Sequence, residues 1–182
     1  GPVKLVQCNF SQYSSRYDAF CAGETPVSFD PECAGGALMD LNVYNISYIV
    51  GLCGEPNQVH YTANVERGID TSGILILEYP NFVCQCTAAK DSSAHNSAQI
   101  IGTEGSILIE PGSNNCQKLV VTRKGKEPYI SEISDTPWWF EVLGISNFLI
   151  VPQDAFKERR IREMSSAVAV LEAARKNAHL DF

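Results

Sequence analysis

The chain has 182 residues, 45% of them hydrophobic and 19% charged, a composition typical of one globular domain with a sizeable core. Its net charge of −7 argues against nucleic acid as the main partner, because phosphate binding needs a basic surface. No apolar run approaches the twenty or so residues of a membrane span, so we expect no membrane partner.

The termini and cysteines set the expected organisation. Residues 1–2, Gly-Pro, are typical of a protease-cleavage scar, which leaves residues 3–182 as a single predicted domain. The seven cysteines are odd in number and fit no disulfide framework. We therefore expect free thiols and a cytoplasmic location. Cys84 and Cys86 have no matching Cys/His pair elsewhere, so we predict small buried hydrophobes and no metal site.

The first third of the chain predicts one strand and one helix. Residues 3–11 have the pattern of a strand, and a polar stretch containing Arg16 and Tyr17 follows it. Residues 21–34 carry loop-forming Gly and Pro. A glycine pair at residues 35–36 then opens a predicted helix that ends near residues 51–54.

The middle of the chain changes to a two-residue period, which is typical of strands. Seven further strands are predicted around residues 59–65, 74–77, 82–88, 99–101, 106–109, 118–123 and 129–133. Their short connections favour antiparallel pairing, since parallel crossovers need a dozen or more residues. Helices are expected again from Pro137, with Trp138 and Trp139 as apolar mass, and from Asp154 onward. The predicted fold is α+β, with a large, mostly antiparallel open sheet and helices on one face.

The pair Asp40 and Tyr44 is the strongest candidate for chemistry. The two residues are four apart in the predicted helix, so their side chains share one face about one turn apart. A carboxylate beside a phenolic proton donor suits proton transfer at a hydroxyl or carbonyl group. The structural alternative is a half-buried core aromatic and a favourable negative charge in the first helical turn.

Three short sequences, in this order and spacing, carry a resemblance to a known family. They are Gly-Gly-Ala-Leu-Met-Asp at residues 35–40, Ile-Gly-Thr-Glu-Gly-Ser at 101–106 and Ala-Ala-Arg-Lys at 173–176. Nearly the whole chain resembles the C-terminal domain of the glucose–fructose oxidoreductase / inositol dehydrogenase (Gfo/Idh/MocA) family. The resemblance implies an open-sheet fold similar to the C-terminal domain of glyceraldehyde-3-phosphate dehydrogenase.

The resemblance also implies an activity. Family members join an N-terminal Rossmann domain, which binds NAD or NADP, to this domain, and they transfer a hydride from a sugar, inositol or related polyol. That Rossmann domain is absent from this chain, so we expect no cofactor-binding residues here and no activity of the isolated domain. The matching positions make Tyr44 the general acid/base or a hydroxyl anchor, and Asp40 the group that orients the substrate hydroxyl.

Two further residues near the implied substrate mouth are candidates for substrate binding. Arg16 offers a planar fork of donors to an anionic or polyhydroxylated group, and Tyr17 adjoins it. The alternative for Arg16 is a surface salt bridge with Asp18 or Glu24.

The chain departs from the family pattern at two positions. Many family members carry His where Tyr44 stands and Gly where Asn42 stands.

The resemblance and the sheet pattern together predict self-association. Apolar residues on both faces of the sheet include Ile74, Ile76, Phe82 and Val83, and helices cover only one face. We expect a homodimer or homotetramer through the sheet. The alternative function is a non-catalytic small-molecule-binding or dimerisation module.

Overall fold

The computed structural model describes residues 1–132 and 154–180. Their strands are β1 (Val3–Ser11), β2 (Gln58–Glu66), β3 (Ile69–Glu78), β4 (Val83–Ala89), β5 (Ser97–Gly102), β6 (Gly105–Gly112), β7 (Asn115–Arg123) and β8 (Lys126–Glu132). Their helices are α1 (Tyr17–Cys21), α2 (Val43–Cys53) and α3 (Asp154–Asn177), with 3-10 turns at Val27–Phe29 and Pro31–Cys33 and a π-helical turn at Leu38–Asn42.

The eight strands form one open sheet in the order β2-β3-β4-β1-β5-β6-β7-β8. Every pair is antiparallel except β1 and β4, which run parallel from Leu5 opposite Val83 to Ser11 opposite Ala89. This confirms the predicted mostly antiparallel sheet. Because parallel strands end at the same edge, the chain leaves β1 and β4 side by side, and residues that follow both strands meet there.

Alternate residues of the central strands face the helices and form the core. Val6 and Cys8 of β1, Leu75 and Leu77 of β3, and Cys84 and Cys86 of β4 are all buried there. They pack against apolar residues of the two longer helices, among them Ile46 and Ile49 of α2 and Val170 and Leu171 of α3. All seven cysteines are free, and burial raises the pKa of Cys84 to about 12. The predicted buried thiols at positions 84 and 86 are confirmed.

The opposite face of the sheet, called the open face below, carries exposed apolar side chains among the described residues. Leu75 and Leu77 point into the core, so Ile74 points outward, and its side chain is 46% exposed. Val83 on the neighbouring strand is 39% exposed. Phe82 lies one residue before β4 and stacks on Tyr79 with ring centroids 4.6 Å apart, against the core, so apolar side chains do lie on both faces, as predicted.

Two parts of the helical prediction need comment. The helix after the glycine pair begins with the π-helical turn Leu38–Asn42 and becomes α-helical only at Val43. The helix predicted from Pro137, with its two tryptophans, lies outside the described residues. Helix α3 is described from Asp154, where the described residues resume, to Asn177. None of the helices within residues 1–132 and 154–180 has the length and apolarity needed to cross a membrane.

Candidate functional site

The glycine pair allows the chain to turn tightly beneath the candidate site. Gly36 has φ +95°, a left-handed conformation that L side chains rarely adopt. A Cβ atom there would also overlap Oδ1 of the buried Asp70. At Gly35 a Cβ atom would lie 2.8 Å from the backbone of Ser28 and Asp30. Both positions therefore require glycine, for different steric reasons.

Asp70 on β3 anchors the start of the π-helical turn. Its Oδ2 accepts hydrogen bonds from the Leu38 amide at 2.6 Å and from the Tyr61 hydroxyl at 2.7 Å. Its Oδ1 is buried with no hydrogen-bond partner among the described residues. Burial raises the pKa of Asp70 to about 6, although these two hydrogen bonds oppose the shift.

This buried carboxyl predicts a pH-dependent stability. Native Asp70 binds a proton below about pH 6, whereas in the unfolded chain it does so only below about pH 4. Between these two pH values the native state therefore holds more protons than the unfolded chain. The contribution of Asp70 to the free energy of unfolding falls as pH rises through that window. We expect a loss of up to about 3 kcal/mol between pH 4 and pH 7.

Urea unfolding of the wild type and Asp70→Asn across that range measures the effect. The amide introduced by the substitution does not titrate, so the wild type should lose stability relative to the variant as pH rises. Other carboxyls cancel in this difference, including Glu172, whose ion pairs lower its pKa to about 2. Parallel pH curves for the two proteins would contradict the assignment.

Buried amides fix the other end of the π-helical turn to the sheet. Asn45 Nδ2 donates to the Thr87 carbonyl at 3.1 Å and to Asn42 Oδ1 at 2.9 Å. The Ser113 hydroxyl donates to Asn45 Oδ1 at 2.6 Å. Asn42, where the family usually has glycine, is thus a fully buried amide that joins the turn to β4.

The predicted pair Asp40 and Tyr44 lies at the surface. The Asp40 side chain is 48% exposed, and its Oδ2 accepts a hydrogen bond from Lys90 Nζ at 2.6 Å. Tyr44 is 41% exposed, and its ring lies edge-on to Phe10 with centroids 5.6 Å apart. Neither residue is a core residue, and both side chains are partly exposed.

An open cavity of about 460 Å³ lies beside the π-helical turn. Arg16 and Asp40 line it together, and Tyr17 and Tyr44 are not among its lining residues. The rest of the lining comes from Pro26, Val27, Ser28, Cys33, Ala34, Gly35 and Met39. The cavity thus combines a cation, a carboxylate and an apolar wall. A second cavity of about 330 Å³, at the β5–β6 turn, contains none of the four predicted residues.

Arg16 and Tyr17 have different surroundings. The alternative salt bridge of Arg16 is not formed within the described residues, and Asp18 instead accepts a hydrogen bond from the Tyr13 hydroxyl at 2.6 Å. The Tyr17 hydroxyl donates a hydrogen bond to Glu66 Oε1 at 2.8 Å, and this bond raises the pKa of Tyr17. Its ring packs against the cluster of Phe20, Phe29 and Ile69. In this conformation Tyr17 ties α1 to β2 and does not reach the cavity.

Sequence reasoning did not single out Lys90. This residue directly follows β4, is 2% exposed and donates to Asp40. The only signal in the sequence is a lysine at the end of an apolar strand. Its contact with Asp40, fifty residues earlier, is created by the tertiary fold.

Known proteins are similar to this chain in sequence and in fold. The profile of the GFO/IDH/MocA C-terminal domain matches residues 1–108, more than half of the chain. The uncharacterized oxidoreductase YgjR of Escherichia coli (strain K12) is 34% identical over 128 residues, which cover 70% of this chain and 39% of that protein. The scyllo-inositol 2-dehydrogenase (NADP(+)) IolU of Bacillus subtilis (strain 168) is 38% identical over 111 residues, covering 60% of this chain and 34% of that protein.

A solved structure supports the same fold. A levoglucosan dehydrogenase in complex with NADH and levoglucosan has a TM-score of 0.74 at 14% identity, covering 98% of this chain and 57% of that one. The chain spans about a third of the length of the curated relatives it matches. Profile, relatives and fold agree with the motifs read from the sequence, and the chain therefore belongs to the GFO/IDH/MocA family, of which it carries the C-terminal domain.

Proposed function

We propose that this chain is the substrate-binding and oligomerisation domain of an NAD(P)-dependent oxidoreductase that oxidises a CH–OH group of a sugar, inositol or related polyol. The observation that carries the proposal is the open cavity in which Arg16 and Asp40 lie together. Family membership supports the reaction class, since IolU is named as an inositol dehydrogenase and the levoglucosan dehydrogenase binds NADH and a sugar derivative.

The chain's own groups suit the handling of a hydroxyl. Oxidation of CH–OH to C=O removes a hydride and a proton, and the nicotinamide, when bound, accepts the hydride. Asp40 accepts a hydrogen bond from the substrate hydroxyl and orients it. Tyr44, exposed one turn further along, takes the hydroxyl proton or anchors the hydroxyl. Arg16 binds an anionic or hydroxylated part of the substrate, and Val27 and Met39 contribute apolar surface to the same cavity.

The cofactor belongs mainly to another part of the protein in this proposal. The relatives are about three times as long as the matched region, which supports an upstream Rossmann domain in the full-length protein. We expect the isolated chain neither to bind NAD(P) tightly nor to turn over. The free state of all seven thiols supports a cytoplasmic location.

The test is oxidation of a panel of inositols, sugars and sugar acids by the full-length protein with NAD and with NADP. Reduced cofactor formed with at least one polyol, and formed about 10²-fold less efficiently by Asp40→Asn, is the expected result. Absence of turnover across the panel with both cofactors would refute the enzymatic proposal.

We also propose that the open face of the sheet forms a homodimer or homotetramer interface. Ile74 and Val83 expose apolar side chains there, on adjacent strands, and Ile130 of β8 is exposed as well. Exposed apolar groups on neighbouring strands favour burial against a second copy of the same surface.

The double variant Ile74→Glu and Val83→Glu is expected to convert the oligomer into monomers. In a self-complementary interface both copies would bury the new carboxylates without a positive partner. Sedimentation equilibrium across the micromolar range measures the change. Val168→Glu, an equivalent change at an exposed position of α3, is the matched control and should leave the mass unaltered. A monomeric wild type would contradict the proposal.

A second candidate function is an assembly or small-molecule-binding module without turnover. The same open sheet face favours it, since that surface needs no chemistry at Asp40 or Tyr44. Retention of oligomer and ligand binding in a full-length protein without dehydrogenase activity would favour this candidate.

A further inference from the structure

The side chain of Lys90 is buried beneath the candidate site, where an ammonium group needs partners. Its Nζ donates to Asp40 Oδ2 at 2.6 Å and to the Ser28 carbonyl at 2.5 Å. It also lies over the ring of Phe29, 4.5 Å from the centroid. Hydrogen-bonded acceptors and an aromatic face together offset the cost of removing a charge from water.

The backbone of Lys90 is fixed as firmly as its side chain. Its amide donates to the Thr71 carbonyl of β3 at 2.8 Å. Its carbonyl accepts from the Ser14 amide at 2.8 Å, two residues before Arg16. The backbone that carries the donor is therefore held by its neighbours in the fold, and the Nζ atom is held by Ser28, Asp40 and Phe29. A charged side chain whose backbone is fixed at the end of a central strand is well placed to orient a group on a neighbouring helical turn.

The contacts of Lys90 reach three segments that form the cavity. Its carbonyl accepts a hydrogen bond from the segment leading to Arg16, and its Nζ donates to both Ser28 and Asp40, which line the cavity. Asp40 uses only Oδ2 for Lys90. Within residues 1–132 and 154–180 no donor reaches Asp40 Oδ1, so this oxygen is free to accept a hydrogen bond from a ligand.

We propose that Lys90 is a positioning residue, which fixes the Asp40 carboxylate so that Oδ1 faces the substrate hydroxyl. The inference rests on the proposed function. Without Lys90, a half-exposed carboxylate on a π-helical turn rotates freely and loses its defined orientation. A displacement of about 1 Å at such a group costs about 10²-fold in rate.

The test is a double-mutant cycle in the full-length protein, with the wild type, Lys90→Met, Asp40→Asn and the double variant. We expect each single change to lower kcat/KM for the polyol substrate by about 10²-fold, with the affinity for the cofactor unaltered. If Lys90 acts through Asp40, the double variant should be no worse than Asp40→Asn by more than about threefold. Independent losses that multiply would overturn the proposal.

Two further variants separate positioning from folding and from net charge. Lys176→Met removes an equal charge from an exposed pair with Glu172 on α3 and should retain wild-type kinetics. If Lys90→Met does not fold, Lys90→Arg keeps the charge but moves the donor, and it should lower kcat/KM about tenfold in the wild-type background but not in Asp40→Asn.

The outcomes distinguish the two proposals. Wild-type kinetics in folded Lys90→Met, beside a large loss in Asp40→Asn, would overturn the role of Lys90 and leave the proposed function standing. A wild type that oxidises no polyol with either cofactor would overturn the proposed function and, with it, the role of Lys90.

Discussion

Replacing Tyr44 by Phe in the full-length protein is expected to lower kcat by about 10²- to 10⁴-fold, the usual contribution of a positioned proton donor or acceptor. The phenylalanine ring keeps the edge-on contact with Phe10, so the fold and the thermal midpoint should hardly change. Steady-state kinetics with saturating cofactor measure the loss. Because Tyr44 lies in the half of the protein that is not expected to bind the nicotinamide, the affinity for NAD(P) should stay the same.

The size of the loss also separates the two roles left open for Tyr44. A proton-transfer role lowers kcat steeply and changes the pH profile, whereas a simple hydroxyl anchor raises KM and lowers kcat only slightly. Tyr129→Phe removes an exposed phenol from β8 and serves as the control. Turnover by Tyr44→Phe at the wild-type rate would remove this residue from the reaction.

Gly36→Ala is expected to be the most destabilising small change near the site. The left-handed φ of +95° alone costs an alanine about 1–3 kcal/mol. The new methyl group would also overlap the buried Asp70 Oδ1, so either the carboxylate or the turn must move. We expect a loss of about 3 kcal/mol or more in the free energy of unfolding, measured by urea denaturation.

The same change should reach the site, because Gly36 precedes the turn that carries Asp40. A folded fraction of Gly36→Ala should therefore have a lower kcat/KM than the wild type. Gly51→Ala provides the control, since it lies within α2 and nothing beyond its own stretch of helix lies within 4 Å of the added Cβ. That substitution should stabilise the protein by about 0.5–1 kcal/mol. Equal stability of the two variants would contradict the steric argument.

The strands were predictable because each depends on a local alternation of apolar and polar residues. Residues 3–11 and the hairpin around residues 102–105 follow their sequence patterns closely. The alternation placed Phe82 on the core side, where it packs, although β4 begins one residue later, at Val83. The π-helical turn could not be predicted, because its hydrogen bonds to the sheet join residues 30 to 45 positions apart. Leu38 donates to Asp70, and Asn42 donates to Cys86.

The family, the sheet and the candidate pair Asp40 and Tyr44 could be inferred from the sequence, because periodicity and short motifs are local properties of a chain. The surroundings of that pair come from contacts between distant segments. These contacts place Arg16 in the same cavity as Asp40, join Tyr17 to Glu66, and bring Lys90 to Asp40. Arg16 and Lys90 follow β1 and β4, which run parallel and end at one edge, a pairing between segments about eighty residues apart that local pattern cannot specify.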